Sequence, residues 1–453
     1  MANTYLTRTF GTPTNNKIWT CSAWLKRANS TNNHSHLSTG TNTSNRGVFY
    51  FNTGTSADFQ YYEASGGSAQ LWIQTNQQFR DCNGWYHIVV SVDTTQATAS
   101  NRWKLYVNGE QVTSFGTATY PSQNYDTFIN KASARHDISG RNNHSNADFY
   151  WEGAMSHYHF IDGTAYDASA FGSTDSTTGE WKINTSPSVT YGTNGFFILK
   201  DGNSVTDQSG NSNNFTVGGG TLTKTEDNPS CVFATWNPLS RTTGNTYSNG
   251  NTTVSYANNF QKNANSTLAF NSGKYYGEFK RTGNANLHVG IVGNTFLEDG
   301  RIVTDTSSNH TYNMRGHTGC ITLVSNTADQ NIFVDGSDSG DDVDFFTSTG
   351  DIVMVAFDAD TKKIWFGKNG TWSSSGNPST GANPSYTYSG TATSDFTFGT
   401  DTENGSACLA NFGNGYFGTT AVSSAGTNAS GNGIFEYDVP TGYTALSTKG
   451  LNL

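Results

Sequence analysis

Short apolar runs rich in Val, Ile, Phe, Tyr and Trp recur along the chain, broken every several residues by Gly, Asn, Ser and Thr. Within the runs apolar and polar residues alternate, and a period of two sends successive side chains to opposite faces of a strand. No stretch of useful length keeps an apolar stripe at 3.6 spacing free of Gly and β-branched runs, so helix is expected to be nearly absent. Arg102–Gln111 shows the pattern clearly. Trp103, Leu105 and Val107 alternate with Lys104 and Tyr106, and Asn108-Gly109 supplies the two positive-φ positions of a type I′ turn. Ile364-Trp365-Phe366 leads to Asn369-Gly370 by the same device. Each hairpin follows an apolar strand ending in Asp, Ile88–Asp93 in one case and Ile352–Asp358 in the other. The pattern predicts an all-β chain built as two antiparallel β-sandwiches of similar plan.

A length of 453 residues suits two or three domains at roughly 150 residues each. Asn211–Asn259 has little apolar alternation and includes Gly218-Gly219-Gly220 and Asn249-Gly250-Asn251, so the domain boundary is expected there, near residue 235. A second polar, Gly-rich stretch, Thr419–Gly433, precedes the short segment Ile434–Leu453. The expected division is a first sandwich over 1–215, a connection over 216–260, a second sandwich over 261–420 and a tail over 421–453.

Composition narrows the function. Charged residues make up 13%, about half the usual one in four. With 13% aromatics, that argues against disorder and against a coiled coil. A formal net charge of −10 provides no phosphate-neutralising footprint, so nucleic acid is not an expected partner. No apolar stretch approaches the roughly 18 residues that cross a bilayer, and Met1–Phe10 lacks the apolar core of a signal peptide. No membrane insertion and no export are expected. Cys21, Cys82, Cys231, Cys320 and Cys408 are scattered, with no CxxC pair, and are read as reduced, mostly buried thiols.

Gly84-Trp85-Tyr86-His87-Ile88-Val89-Val90-Ser91-Val92-Asp93, followed by Leu105-Tyr106-Val107-Asn108-Gly109, resembles the central signature of laminin-G-like, concanavalin A-like sandwich domains. Trp19–Arg27 and Phe149–Gly163 are similar to the opening and closing strands of such domains in structural proteins of marine tailed bacteriophages. This resemblance spans about residues 1–215. The second half resembles a SPRY domain through Gly273–Lys280, Val289–Gly293, Gly350–Trp372 and Ala410–Phe417, in the family's order. Tyr437–Leu453 is similar to the ending of phage proteins with this arrangement. The resemblance implies two jelly-roll, concanavalin A-like sandwiches that bind proteins or glycans.

Candidate chemistry is sparse. Glycoside hydrolysis needs two carboxylates roughly 5–10 Å apart across the sugar. No Glu-x-Asp-x-Glu run appears, and Glu152, Glu180 and Glu278 read as solvated-face residues. Gly-x-Ser-x-Gly elbows, P-loops and dinucleotide fingerprints are missing as well, so no catalytic residue is assigned. Asp335, Asp338, Asp341, Asp342 and Asp344 crowd a Gly/Ser-rich stretch read as a solvated loop, with Ca²⁺ as the ligand such oxygens could hold. His157 and His159 alternate on a predicted strand, and His34 and His36 share that spacing in an expected loop; neutral imidazoles so placed can ligate Zn²⁺ or Fe²⁺, but no third ligand is identifiable. Sugar-binding surfaces stack exposed aromatic rings on sugars beside short polar groups, for which Tyr61, Tyr62, Tyr120, Tyr125, Tyr312 and Trp372 are available.

The expected function is a non-enzymatic virion protein of a tailed phage, serving adhesion or surface decoration as a tail-fibre, tail-tip or capsid-attached fibre subunit. Expected partners are other virion proteins, copies of itself in a homo-oligomer such as a trimer, and a host-surface glycan. The first strand's start within about ten residues of Met1 favours a compact module docked on another virion protein over an autonomous fibre. The alternatives are a free lectin-like protein and a sandwich-fold polysaccharide hydrolase. No cofactor is expected beyond the Ca²⁺ considered above.

Overall fold

The computed structural model describes residues 3–142, 147–200, 204–239, 244–257, 262–283, 286–293, 314–390, 395–402 and 405–452. Among them the only helical segments are five three-residue 3₁₀ turns, as the lack of 3.6 periodicity predicts. The chain divides into two compact units, Met1–Lys224 and Thr225–Leu453.

In the first unit an antiparallel eight-stranded sheet runs in the order Phe115–Thr119, Ser68–Gln78, Asp58–Ser65, Asn45–Phe51, His34–Asn42, Arg135–Ile138, Tyr5–Thr9 and Thr216–Gly219. Facing it, a six-stranded sheet runs Phe196–Ile198, Gly153–Asp162, Ile18–Arg27, Tyr86–Asp93, Trp103–Val107 and Glu110–Val112. The inward registers interlock: Phe49, Tyr61 and Ile73 from one sheet meet Trp19, Val90, Trp103 and Phe160 from the other. Trp19 lies edge-on to Phe49 at 6.1 Å, and Tyr61 stacks on Trp103 at 6.2 Å. Such aromatic pairs contribute about 0.5–1.5 kcal/mol each beyond the area they bury. The Asn108-Gly109 turn forms as expected, with φ of +47° and +87°.

The six-stranded sheet also has an apolar outer face. Val89, Ile161, Ala168 and Phe171 are buried there, with Tyr106, Trp181 and Tyr191 packed against them. A small hairpin, Gly172–Thr174 with Trp181–Ile183, belongs to this cover. Among the described residues the outer face of the eight-stranded sheet carries no such apolar cluster: Ser38, Val48, Asp58 and Gln60 are buried there, Tyr50, Tyr62 and Gln74 are half-buried, and Trp72 is exposed.

In the second unit a nine-stranded sheet includes Ala407–Asn411, Lys274–Thr282, Ile352–Asp358 and Lys363–Lys368 as neighbours. A six-stranded sheet runs Lys262–Asn265, Phe396–Thr402, Leu287–Gly293, Cys320–Ser325, Gln330–Val334 and Ser337–Asp342. Asn369-Gly370 makes the second expected turn, at φ +47° and +89°.

The unit limits differ from the sequence-based division. Thr216–Gly219 is an edge strand paired with Tyr5–Thr9, so part of the expected connection belongs to the first sandwich. Trp236 is completely buried against Phe279 and Phe412, and Thr253–Ser255 pairs with Ala407–Asn411, so the rest of the connection is second-unit core. Nor is 421–453 a free tail: Thr444–Ala445 pairs in parallel with Lys274–Thr282, and Phe435, Val439 and Tyr443 complete an apolar layer with Tyr276, Met354 and Trp365. Sparse apolar residues misled the division because each is a single anchor rather than part of an alternating run.

Candidate functional site

The outer face of the eight-stranded sheet carries two ladders across its strands. Val48, Tyr62, Trp72 and Thr119 are register partners in one, and Tyr50, Gln60, Gln74 and Thr117 in the other. Trp72 is 38% exposed, and Tyr50 and Tyr62 are half-buried. Its ring meets Tyr62 edge-on at 5.9 Å. Cross-strand pairing holds these rings on a rigid surface rather than on a loop.

Between the rings runs a hydrogen-bonded amide network. Gln60 Oε1 accepts from Tyr50 OH at 2.6 Å and from Trp72 Nε1 at 3.3 Å. Gln60 Nε2 donates to Asp58 Oδ1 at 2.8 Å, and Gln74 Nε2 to Asp58 Oδ2 at 3.1 Å. Thr117 Oγ1 donates to Gln74 Oε1 at 3.3 Å. Toward the other end Arg46 sits over the Tyr62 ring at 5.4 Å, and Arg141 over Phe149 at 3.9 Å. Phe149 is 5.7 Å from Tyr50. Burial raises the Tyr50 phenol, and the Asp58 carboxylate raises it further. Asp58 and Gln60 are buried and orient their neighbours, so the exposed Trp72 ring beside the half-buried Tyr62 and Gln74 supplies the stacking plane and carboxamide that carbohydrate rings require.

Residues 2–168 match the Laminin_G_3 family, described as the concanavalin A-like lectin/glucanases superfamily. The lectin/glucanase match thus covers the strands that build the aromatic face. Similar solved structures include the SPRY domain of human HERC1, at 16% identity and a TM-score of 0.29, covering 39% of this chain and 96% of that one. The TRIM65 PSpry domain is 12% identical with a TM-score of 0.29, covering 39% and 91%. A native heptameric SAP-like pentraxin from Limulus polyphemus is 14% identical with a TM-score of 0.28, covering 36% and 71%. No curated protein matches.

Of the described aromatics singled out in the sequence, Tyr62 alone belongs to this face. Tyr61 is fully buried: it stacks on Phe49 at 4.2 Å and donates to Glu63 at 2.8 Å, so it is a core residue and not a sugar platform. Tyr120 is half-buried against the first core. Tyr125 is also half-buried, with its hydroxyl enclosed. Trp372 packs against the second unit's apolar layer, 6.3 Å from Tyr276. Tyr312 lies outside the described residues. Trp72 and Tyr50 escaped the sequence reading. The signal for Trp72 is a tryptophan in the polar register of Leu71-Trp72-Ile73-Gln74-Thr75-Asn76.

The expected acidic loop is largely a strand, Ser337–Asp342, paired with Gln330–Val334. Asp338 and Asp341 are exposed along it, Asp342 is exposed at its end, and Asp344 beyond it accepts from Ser374 N at 2.9 Å. Asp335 is half-buried and accepts from Gly319 N at 2.6 Å and Tyr388 OH at 3.0 Å. Pairing spreads the carboxylates instead of converging them. Among the described residues no three His, Cys, Asp or Glu side chains gather as a metal would require.

The histidines are likewise placed by packing. His34 and His36 belong to a strand, not a loop, and both are buried, which lowers each imidazole to a pKa of about 3. His36 Nδ1 bonds Tyr158 OH at 2.8 Å. His157 sits in a bulge at φ +45°, with Nδ1 on Ser156 Oγ at 2.8 Å. His159 stacks on Phe197 at 3.9 Å and bonds Tyr191 OH at 2.9 Å.

Glu278, expected on a solvated face, is wholly buried. It accepts from Tyr276 OH at 3.0 Å, Asn411 Nδ2 at 3.1 Å, Glu436 N at 2.9 Å and Tyr437 N at 2.8 Å. Desolvation outweighs these donors and raises its carboxyl to about 7. Glu152 is half-buried and accepts from Asn29 and from Asn32, while Glu180 is exposed. A shallow recess of about 400 Å³ at the hairpin Trp103–Val107 and Glu110–Val112 also includes Gln77; it contains one carboxylate, Glu110, and no aromatic ring.

Proposed function

We propose that this chain is a non-enzymatic adhesion or surface-decoration protein of a virion, and that its first unit holds host-surface glycan on the face built by Trp72, Tyr62, Tyr50, Gln60 and Gln74. The observation that carries the glycan reading is the exposed Trp72 ring, tied by its indole N–H to the same Gln60 oxygen that receives Tyr50. The match of residues 2–168 to a lectin/glucanase superfamily supports it. Binding rather than hydrolysis is favoured by the state of the carboxylates. Asp58 is occupied by two amides, Asp148 by Arg141, and Glu63 and Glu278 are buried under donors of their own chain. An acid and a nucleophile facing an open cleft require a different arrangement. The virion setting, with other virion proteins and copies of the chain as partners, rests on the resemblance of both halves and of Tyr437–Leu453 to phage proteins.

The test is a glycan array and a host-cell binding assay with the purified chain. Binding is expected, and Trp72→Ala is expected to weaken it about tenfold or more, which is about 1.4 kcal/mol per tenfold. Turnover of the bound polysaccharide, or binding indifferent to Trp72→Ala, would overturn the reading of the face. Mass spectrometry of salt-washed virions tests the setting, since absence from particles removes it.

A further inference from the structure

One guanidinium on the aromatic face, Arg46, has the Asp148 carboxylate within electrostatic reach but no directly bonded partner among the described residues. Arg46 packs over Tyr62, yet among the described residues its guanidinium makes no hydrogen bond and no ion pair, and its Nε is enclosed without a partner. Its neighbour differs. Arg141 Nε donates to Asp148 at 2.7 Å while a second nitrogen reaches the other oxygen of that carboxylate, so Asp148 is already engaged as a fork. Of the other acids on the face, Asp58 holds the Gln60 and Gln74 amides, and Asp137 is bonded by Arg135 at both oxygens. Burial and then the like charge of Arg141 lower the Arg46 pKa against the weaker opposing pull of Tyr62, Tyr50 and Asp148, although a guanidinium stays protonated at any physiological pH. A partly desolvated cation with no directly bonded carboxylate is stabilised by an incoming anion more than a hydrated surface cation would be.

On the opposite side of Tyr62 stands Trp72, so a cation and an exposed stacking plane flank one ring at 5.4 Å and 5.9 Å. We infer that the face takes an anionic glycan, with sugar rings stacked on Trp72 and Tyr62 and a uronic-acid-type carboxylate paired to Arg46. This rests on the glycan reading above and adds the chemical class of the ligand. A planar guanidinium matches a carboxylate as a two-pronged donor, which a neutral hydroxymethyl group cannot exploit. The net charge of −10 repels polyanions from the chain as a whole, so a bound one implies a local site.

The experiment titrates the full chain with polygalacturonate oligomers and with the same oligomers methyl-esterified, which keeps the rings and removes the charge. The acid form is expected to bind at least tenfold tighter. Arg46→Gln should erase that preference, and Arg46→Lys should keep part of it. Trp72→Ala should weaken both forms, with the first unit's thermal transition unchanged in every variant. Equal affinity for the two forms, or a preference that survives Arg46→Gln, overturns the anionic assignment; if Trp72→Ala still weakens both, glycan binding itself stands. Binding of neither form overturns the assignment alone, because the glycan reading is judged separately on the array and on host cells.

Discussion

Glu278 and Glu63 are the residues whose environment departs furthest from what their type suggests. Each follows a tyrosine by two positions and receives its hydroxyl, from Tyr276 at 3.0 Å and from Tyr61 at 2.8 Å. Each also receives backbone N–H groups from a distant segment: Glu436 and Tyr437 in one unit, Phe128 in the other. The carboxylates act as clamps that hold those segments to a sheet. Glu278→Ala should therefore leave four donors unsatisfied and destabilise the second unit by about 3–5 kcal/mol, in line with removing one partner of a buried charged network. Urea unfolding checks this, and a change below about 1 kcal/mol would show that water replaces the clamp. The alternation Tyr276, Glu278, Lys280 reads as a polar outer register, so a solvated glutamate was the natural expectation. What buries it is the 434–445 segment lying across that register, which no local pattern announces.

The hairpins are the elements that local chemistry specifies most completely. Asparagine tolerates positive φ and glycine has no Cβ to oppose it, so Asn-Gly between alternating strands closes a type I′ turn wherever it occurs. The two turns nonetheless differ in what they touch. A Cβ on Gly109 would overlap the Trp181 ring, whereas one on Gly370 would meet Tyr437 at 3.0 Å. Both substitutions to Ala carry the left-handed penalty of about 1–2 kcal/mol. Gly109→Ala must also displace Trp181, whose Nε1 lies 2.9 Å from His87 Nδ1, and so should lower its unit's melting temperature more than Gly370→Ala lowers the other's. Equal shifts would show that the Trp181 cover yields freely. The strand Ser68–Gln78 makes the complementary point: alternation correctly separates Leu71, Ile73 and Thr75 from Trp72, Gln74 and Asn76, but whether the second set faces water depends on what else packs there.

At the scale of the molecule the two units should answer pH in opposite senses. In the first, burial holds His34, His36, His87 and His136 neutral, with pKa values lowered from 6.5 to about 3. The unfolded chain then binds more protons, so their contribution is complete above pH 6.5 and is lost as pH falls toward 3. Glu63, raised from 4.5 to about 8 by burial, acts oppositely, since its contribution is lost as pH rises through that range. Four groups outweigh one, and the first unit should lose stability between pH 7 and pH 5. In the second, Glu278 is raised from 4.5 to about 7, so that unit should gain stability over the same interval. Calorimetry at the two pH values should show one transition moving down and the other up; movement of both in one direction would contradict these assignments.

The sequence by itself determined the all-β class, the near absence of helix, the two tandem sandwiches and the Asn-Gly hairpins. These follow from period-two alternation and turn chemistry, which act over a few residues. Tertiary structure alone decided where the units end, that Tyr61 is core while Tyr62 and Trp72 line a surface, that the acidic stretch is drawn out along a strand, and that Arg46 has no directly bonded partner among the described residues. Each of these depends on which distant segment covers a given face, and a one-dimensional pattern records the two faces of a strand without saying which of them water reaches.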